Sequence, residues 1–342
     1  MKRLSKRVRE RHKRYLRKLE RRLRKVTRRG KLERVLLSQF TILEAPKIFD
    51  LFGENSRSNV VRFIRRFRKL ILGECEKILF DFRNTTRFVA DATLLFTAEV
   101  SRAACLYNGR LVYKCLPPKN YKATQVMQQI GLLRLFRTHS RIEPVDDDVI
   151  KWRYATGQGA AGEKYDDILG GYEGVIAEAL SSKLFTGLTE AMTNVHHHAY
   201  IVRRKDQLMY DESYKPWWMF SQERNGRLNV LFCDLGVGIP ETIPLTRVEL
   251  FKKLVTLGLA GSDSSIIEKT IEDSRTRTKK SYRGKGLSQI VETLSAYENS
   301  NVLIYSNSGA VRISGSKVQR TDYAESIMGT LIAWSVPLTG GN

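Results

Sequence analysis

Four short groups of residues in the second half of the chain have types and spacing suited to phosphate chemistry. The first is Glu190, Asn194 and His198, set four apart in LTEAMTNVHHHAY. On a helix this spacing puts them on one face. A carboxylate there can orient or deprotonate a nucleophile. A carboxamide oxygen one turn on can take a place around Mg²⁺, a hard ion that keeps its waters and bridges phosphates.

The second group is Asp234, Gly236 and Gly238 in DLGVGIP, after the apolar run Leu228–Cys233. A carboxylate at a strand end can accept a hydrogen bond from an adenine amino group. The glycines allow close backbone approach. The third is Arg283, Gly284, Lys285, Gly286, Leu287 and Ser288. It opens a helical pattern, so free amides and the positive end of a helix dipole would cradle an anion beside the Lys285 charge. The fourth is Gly329 and Thr330, at the head of the strand pattern MGTLIAWSVPL. Its hydroxyl could reach the adenine side.

One group alone is a common surface pattern. The four in this order resemble the GHKL (gyrase, Hsp90, histidine kinase, MutL) ATPase superfamily. Glu190, Asn194 and His198 stand as its N box, Asp234, Gly236 and Gly238 as its first glycine box, Gly284 and Gly286 as its second, and Gly329-Thr330 as its last motif. Within it, EAMTNVHHHAY is most similar to the anti-sigma-factor serine kinases of bacterial partner switching. The resemblance covers about residues 171–338. It implies an α/β sandwich of helices on a mixed sheet, with Mg²⁺ and ATP as cofactors. It also implies a mobile lid over residues 241–283 that gates closure. Glu190 would be the catalytic residue and Asn194 the Mg²⁺ ligand. His198, Asp234, Gly236, Gly238, Arg283, Gly284, Lys285, Gly286, Leu287 and Thr330 would hold the nucleotide. The function expected is ATP hydrolysis or γ-phosphoryl transfer to protein Ser or Thr. The alternative is a nucleotide-gated binding switch with little turnover.

Other groups have blander readings. His196, His197 and His198 are consecutive, so on a helix they point three ways and cannot together chelate one ion. Trp217 and Trp218 could stack on a base or cap a core. GQGAAG at 157–162 has the form GxGxxG but not the βαβ setting of a dinucleotide site, so it reads as loop. There is no P-loop motif.

The elements that must carry these residues read as α/β, of the α+β kind. Residues 141–170 are polar and Gly-rich and read as a linker before a GHKL-like domain at 171–342. Before the linker, 41–140 reads as a small α/β domain. Val60–Leu72, Asp91–Cys105 and Ala123–Gly131 have helical patterns, and Lys77–Phe82 and Arg110–Cys115 read as strands. This order, with ILFDFRNTTRFVADATLL at 78–95, resembles STAS domains, the antagonists of anti-sigma factors. Where phosphorylated members carry an acceptor Ser, this chain has Ala92, with Thr93 next.

The formal net charge is +23, and residues 1–34 hold eighteen Lys or Arg against three Glu. Leu4, Val8, Tyr15, Leu19, Leu23 and Val26 make a narrow apolar stripe, so 1–40 reads as a basic helical arm. Lys2, Arg3, Lys6, Arg7, Arg11, Lys13, Arg14, Arg17, Lys18, Arg21, Arg22, Arg24 and Lys25 are its candidate contacts to nucleic acid. An anionic membrane surface and docking on the body or an acidic partner are the alternatives. A homodimer is compatible with the resemblance. Cys75, Cys105, Cys115 and Cys233 lack ligand-like spacing and suit a reducing compartment. No apolar run reaches the roughly 20 residues of a membrane span, and no signal-peptide pattern follows the first residues. A cytoplasmic protein is the expectation.

Deleting residues 1–34 is expected to remove salt-sensitive binding to a nucleic-acid probe while leaving ATP binding intact. Fluorescence anisotropy across a salt series checks this, and equal binding by the truncated chain would refute the arm.

Overall fold

The computed structural model describes Lys18, 39–108, 110–138, 140–159, 178–278, Val291 and 299–338, with the backbone alone at 178–183 and 275–278. The described chain opens with β1 (Thr41–Glu44) and β2 (Ile48–Phe49), then α1 (Glu54–Leu72), β3 (Lys77–Asp81) and β4 (Arg87–Phe88). Next come α2 (Ala90–Leu106), β5 (Val112–Leu116), α3 (Tyr121–Gln129) and α4 (Leu132–Leu135). β1, β3 and β5 form a parallel sheet in that order, and β2 pairs with β4. Parallel neighbours need long crossovers, which α1 and α2 supply.

The two helices are built differently. In α1, Val60, Phe63, Ile64, Phe67 and Ile71 are buried at steps of three and four. Arg62, Arg65, Arg66 and Lys69 stand exposed on its other side. In α2, nearly every residue from Ala90 to Ala103 is buried, the mark of a helix with neighbours all round. Ala92 and Thr93 are 0% exposed, and the Thr93 hydroxyl donates to the Val89 carbonyl at 2.6 Å. Neither position offers a hydroxyl to a modifying enzyme.

The chain continues through α5 (Asp147–Ile150), β6 (Arg153–Gln158), α6 (Glu178–Asn194) and a π-helical turn (Val195–Ala199). β7 (Pro216–Arg224), β8 (Arg227–Asp234), α7 (Ile239–Thr246), α8 (Val248–Thr256) and α9 (Asp263–Thr278) follow. β9 (Asn301–Ser306), β10 (Gly309–Ser314), β11 (Lys317–Asp322) and β12 (Thr330–Pro337) complete it. These strands form a seven-stranded sheet in the order β11-β10-β9-β12-β8-β7-β6. Period-two alternation divides its residues between two cores. Trp217, Met219, Val230, Phe232, Ile304 and Ile332 pack with α6 and α9. Trp218, Phe220, Leu231, Cys233, Tyr305 and Leu331 pack with α1, α2 and the smaller sheet. α2 therefore lies between the two sheets. The expected class, α+β, holds. No described helix is long and apolar enough to cross a membrane.

Three expectations change. The large sheet is antiparallel at every described pairing, where a mixed sheet was implied. Tight turns explain the β7–β8, β9–β10 and β10–β11 pairings: Asn225 and Gly226 both have positive φ, the two-residue hairpin signature, and Asn307 and Gly315 occupy the other two turns with positive φ. The segment taken as a linker, 141–170, contains β6, which pairs along β7. Its Gly157 is in the strand rather than a loop, paired with Trp217, and an added Cβ there would meet the Trp217 ring at 2.7 Å. The span taken as a lid, 241–283, contains most of α7, all of α8 and α9. Ile243, Leu250, Leu254 and Ile266 give these helices a core of their own. Trp217 and Trp218, at 0% and 1% exposure, are core residues, as the second of their two readings has it. Of the arm, Lys18 is described, helical and exposed; its other cations lie outside the described residues, as does Gly171, where α6 was expected to start.

A buried charge network joins the two halves. Glu99 of α2 accepts from Arg68 of α1 at 3.1 Å and, with both oxygens, from Arg204 at 2.9 and 3.1 Å. Asp206 accepts from Arg204 at 2.7 Å and from Arg102 at 2.6 Å. Burial pushes the Glu99 carboxyl up, but Arg204 and Arg68 outweigh it and hold the group well below the usual carboxylate range. Its folded-state pKa lies below the unfolded one. Its contribution to stability is therefore present above the ordinary Glu range and lost as pH falls through it.

Removing one member of a buried pair leaves an uncompensated charge. Glu99→Ala is therefore expected to cost about 3–5 kcal/mol in urea denaturation at neutral pH. Arg62→Ala, which breaks a 3.8 Å pair to Glu325 from a side chain 54% exposed, is expected to cost less than about 1 kcal/mol. Equal effects would remove the network from its structural role.

Candidate functional site

Three adjacent strands end together. Thr330 opens β12 opposite Asp234, the last residue of β8, and opposite Ser306, the last residue of β9. All three are buried. The Thr330 and Ser306 hydroxyls lie 3.1 Å apart, and Ser306 also accepts from the Ile239 amide at 2.8 Å. Burial pushes the Asp234 carboxyl up to about 7. Hydrogen bonds from Gly236 and Thr330, with the nearby Arg204 charge, pull the other way.

The turn after Asp234 is fitted to its neighbours. The Gly236 amide donates to Asp234 Oδ1 at 2.9 Å. A Cβ at Gly236 would run into the Ala199 carbonyl. Gly238 has φ +84° and faces the Asn307 carboxamide, where an added Cβ would lie 2.7 Å away. Asn307 Nδ2 donates to the Val237 carbonyl at 2.9 Å, and Asn307 Oδ1 accepts from the Gly329 amide at 3.3 Å. One carboxamide thus ties the second motif to the fourth.

The end of α6 is fastened to the same turn. The Val237 amide donates to the Ala199 carbonyl at 2.8 Å. Tyr200 Oη donates to the Pro216 carbonyl at 2.7 Å and accepts from the Leu235 amide at 3.1 Å. Buried Leu188, Ala191, Met192 and Val195 fix the roll of the helix. Glu190 and Asn194 remain half-buried on its other side, without a hydrogen-bond partner among the described residues. Partial burial raises the Glu190 carboxyl above its ordinary value. His198 lies in the π turn that follows Asn194. The ring is exposed. Partial desolvation, then His197 and Arg247, disfavour its protonated form.

The structure therefore joins the second motif to the fourth through Asn307 and fastens the end of the first, at Ala199, to the same turn. Arg283, Gly284, Lys285, Gly286 and Leu287 lie outside the described residues. Among the described residues, no group of three or more His, Cys, Asp or Glu is placed to hold a metal ion. Asn194, with Glu190 one turn away, is the position open to a Mg²⁺ ion that keeps most of its waters.

Sequence reasoning missed several residues of this site. Ser306 and Asn307 had a signal, a polar pair ending the apolar run NVLIY before Ser-Gly. Tyr200 and Arg204 had none, since the groups they hold are remote in the chain. Arg204 Nη1 donates to the Met328 carbonyl at 2.9 Å and Arg68 Nη2 to the Ile327 carbonyl at 3.1 Å. The buried network therefore sets the residues just before Gly329. Met328 itself has φ +58°, uncommon for a residue with a side chain.

The chain matches no protein-family model, and no curated protein matches it.

Gly236→Ala is expected to destabilise the fold by about 1–3 kcal/mol through overpacking against Ala199. Gly261→Ala, where nothing lies within 4 Å of an added Cβ, is expected to be near neutral. Thermal denaturation of the pair checks the contact, and matched melting temperatures would disprove it.

Proposed function

We propose that this site binds Mg-ATP in the manner of GHKL proteins and hydrolyses it or transfers its γ-phosphoryl group to a protein Ser or Thr. The observation that carries the reading is the junction of α6 with the Asp234 turn. It fastens the turn that follows Asn194, at Ala199, to the turn that follows Asp234, and Thr330 stands opposite Asp234 in the sheet, which supports reading the Glu190–Asn194 face as part of the same site. The donor set suits the ligand. Asp234 is an acceptor sunk among glycines, fitted to an adenine amino group. Asn194 offers a neutral oxygen for the metal. Glu190 is a carboxylate made more basic by partial burial. Bound Mg²⁺ would screen the phosphate charges. Glu190 would take the proton from the attacking water or hydroxyl. Lys285 and the amides at Gly284 and Gly286 belong to the reading from the sequence alone.

A nucleotide-gated switch with little turnover is the second reading. It is favoured by the Arg68 and Arg204 contacts to the carbonyls at 327 and 328, which connect the first α/β unit to the adenine end. In either case the partner would be nucleic acid or protein, and the unpaired cysteines suit a cytoplasmic setting.

Titration calorimetry with a non-hydrolysable ATP analogue and Mg²⁺ tests the pocket. Asp234→Asn is expected to weaken binding at least tenfold, about 1.4 kcal/mol. Glu190→Gln is expected to preserve binding and lower turnover at least tenfold. The ionised Asp234 carboxylate is a stronger acceptor for the amino group than the neutral carboxyl, and burial pushes its pKa up to about 7. Wild-type affinity should therefore fall between pH 8 and pH 6. Undiminished affinity in Asp234→Asn would detach the adenine from this site.

A further inference from the structure

We propose that the outward face of α1 is a binding surface for the phosphodiester backbone of nucleic acid, distinct from the N-terminal arm and from the nucleotide site. Arg62, Arg65, Arg66 and Lys69 stand on this face, all exposed. At a rise of about 1.5 Å per residue they span roughly 10 Å. The same length of duplex carries about six phosphates, so every cation can find its own.

The stripe gathers four cations on one helix face with few counter-ions. Elsewhere Lys122 pairs with Asp148, Lys205 with Glu241, Lys252 with Glu249 and Lys269 with Glu272, while exposed Lys47, Lys77, Lys253 and Lys317 have no acidic partner among the described residues but lie on separate elements or loops. Arg65, Arg66 and Lys69 have no acidic partner among the described residues, and Arg62 has only the 3.8 Å contact to Glu325. Four like charges within three turns repel one another and weaken the helix. Burial of the apolar side of α1 offsets that cost and leaves the charges presented to solvent.

The chemistry of the face selects the occupant. Three of the four cations are arginines, whose planar forks match phosphate oxygens in pairs. A membrane-surface helix would need exposed apolar side chains beside its cations. In α1 the one large exposed apolar side chain is Leu72, its last residue, and the rest of the apolar side is in the core. The position of the face agrees. Thr41 pairs with Ile78 at the start of β3, a few residues after α1 ends at Leu72. The chain bearing the eighteen cations of residues 1–34 therefore enters the fold beside the C-terminal end of the stripe.

The test is made on the full chain with its arm cations intact. Arg62, Arg65, Arg66 and Lys69 are changed together to Gln. Binding to a DNA duplex and to a single-stranded RNA of the same length is followed across a salt series. Each lost phosphate contact removes about 0.9 from the slope of log K against log salt on duplex, and about 0.7 on a single strand. The variant is expected to lose about 3 to 4 from the duplex slope, roughly a hundredfold in salt sensitivity over a fourfold change in salt. A loss on the RNA clearly below the roughly 3 that four contacts on a single strand would give names duplex as the preferred source. A control variant, Lys122, Lys252 and Lys269 changed to Gln, removes paired cations elsewhere and is expected to keep the wild-type slope. The proposal is overturned if the stripe variant keeps the wild-type slope, or if the control loses as much. It is also overturned if only binding to phosphatidylserine vesicles falls. Neutralising the arm cations in a separate chain leaves the stripe's share of the slope in place, so the two surfaces stand or fall independently.

Discussion

Glu99 is a carboxylate with 1% of its surface exposed, and the fold is arranged so that it can remain charged. Taking an ion that far from water costs several kcal/mol unless its partners meet it with good geometry. Arg68 and Arg204 do so, each presenting two nitrogens to the two carboxylate oxygens. Arg204 is in turn shared with Asp206, which also receives Arg102. The network requires α1, α2, the segment after the π turn and the carbonyls at 327 and 328 to arrive in one place. A slip of any of these would strand a guanidinium or a carboxylate in the core. The two sheets and the helices between them are thus held in one register by a constraint that is electrostatic and directional, where apolar packing alone would tolerate several.

The strands of the large sheet follow from it. With α2 fixed against one face and α6 and α9 against the other, strands in its middle have no wet side. That is why PWWMFSQ in β7 is buried at seven consecutive positions, a pattern more usual in parallel sheets. Polar groups are left to the strand ends, where Asp234, Thr330, Ser306 and Asn307 gather. A sheet closed on both faces has its chemistry at an end, and there the end is also where α6 is fastened by Ala199 and Tyr200.

Much of this was legible. The period-3.6 burial of α1, the apolar runs of β3 and β8 and the glycine spacing after Asp234 each carry local information, and each element formed where the pattern placed it. β6 did not show itself, because RYATGQ has no apolar run and becomes a strand through its pairing with β7. The helices of the supposed lid were masked by their Ser, Thr and Lys content, although Leu250 and Leu254 keep helical spacing. The network was invisible for a different reason. Glu99 and Arg204 lie 105 residues apart, and on a sequence Glu99 is one of three charged residues, with Asp91 and Arg102, in a largely apolar helix. Nothing local distinguishes a buried carboxylate with two guanidinium partners from a solvated one. The π turn at Val195–Ala199 was not legible either, since it cannot be read from spacing that assumes an α-helix.

The two halves of the chain are therefore not a binding domain and a detachable neighbour. Arg68 and Arg204 hold the Ile327 and Met328 carbonyls, and Gly329 passes so close to Asp234 that an added Cβ would lie 2.5 Å from its carbonyl oxygen. Any ligand that moves Thr330 or Asp234 must work against contacts reaching into α1 and α2. By linkage, anything that shifts α1 must alter the affinity at the strand ends by the same factor in return. The cations on the outer face of α1 and the guanidinium of Arg68 on its inner face belong to one rigid helix. An anionic polymer laid along the first is coupled, through a single element and a few hydrogen bonds, to the residues proposed to receive adenine. In such an arrangement the size of the coupling is set by how far the helix moves, and a helix anchored by buried Phe63, Phe67 and Ile71 favours small displacements with discrete alternatives over continuous drift.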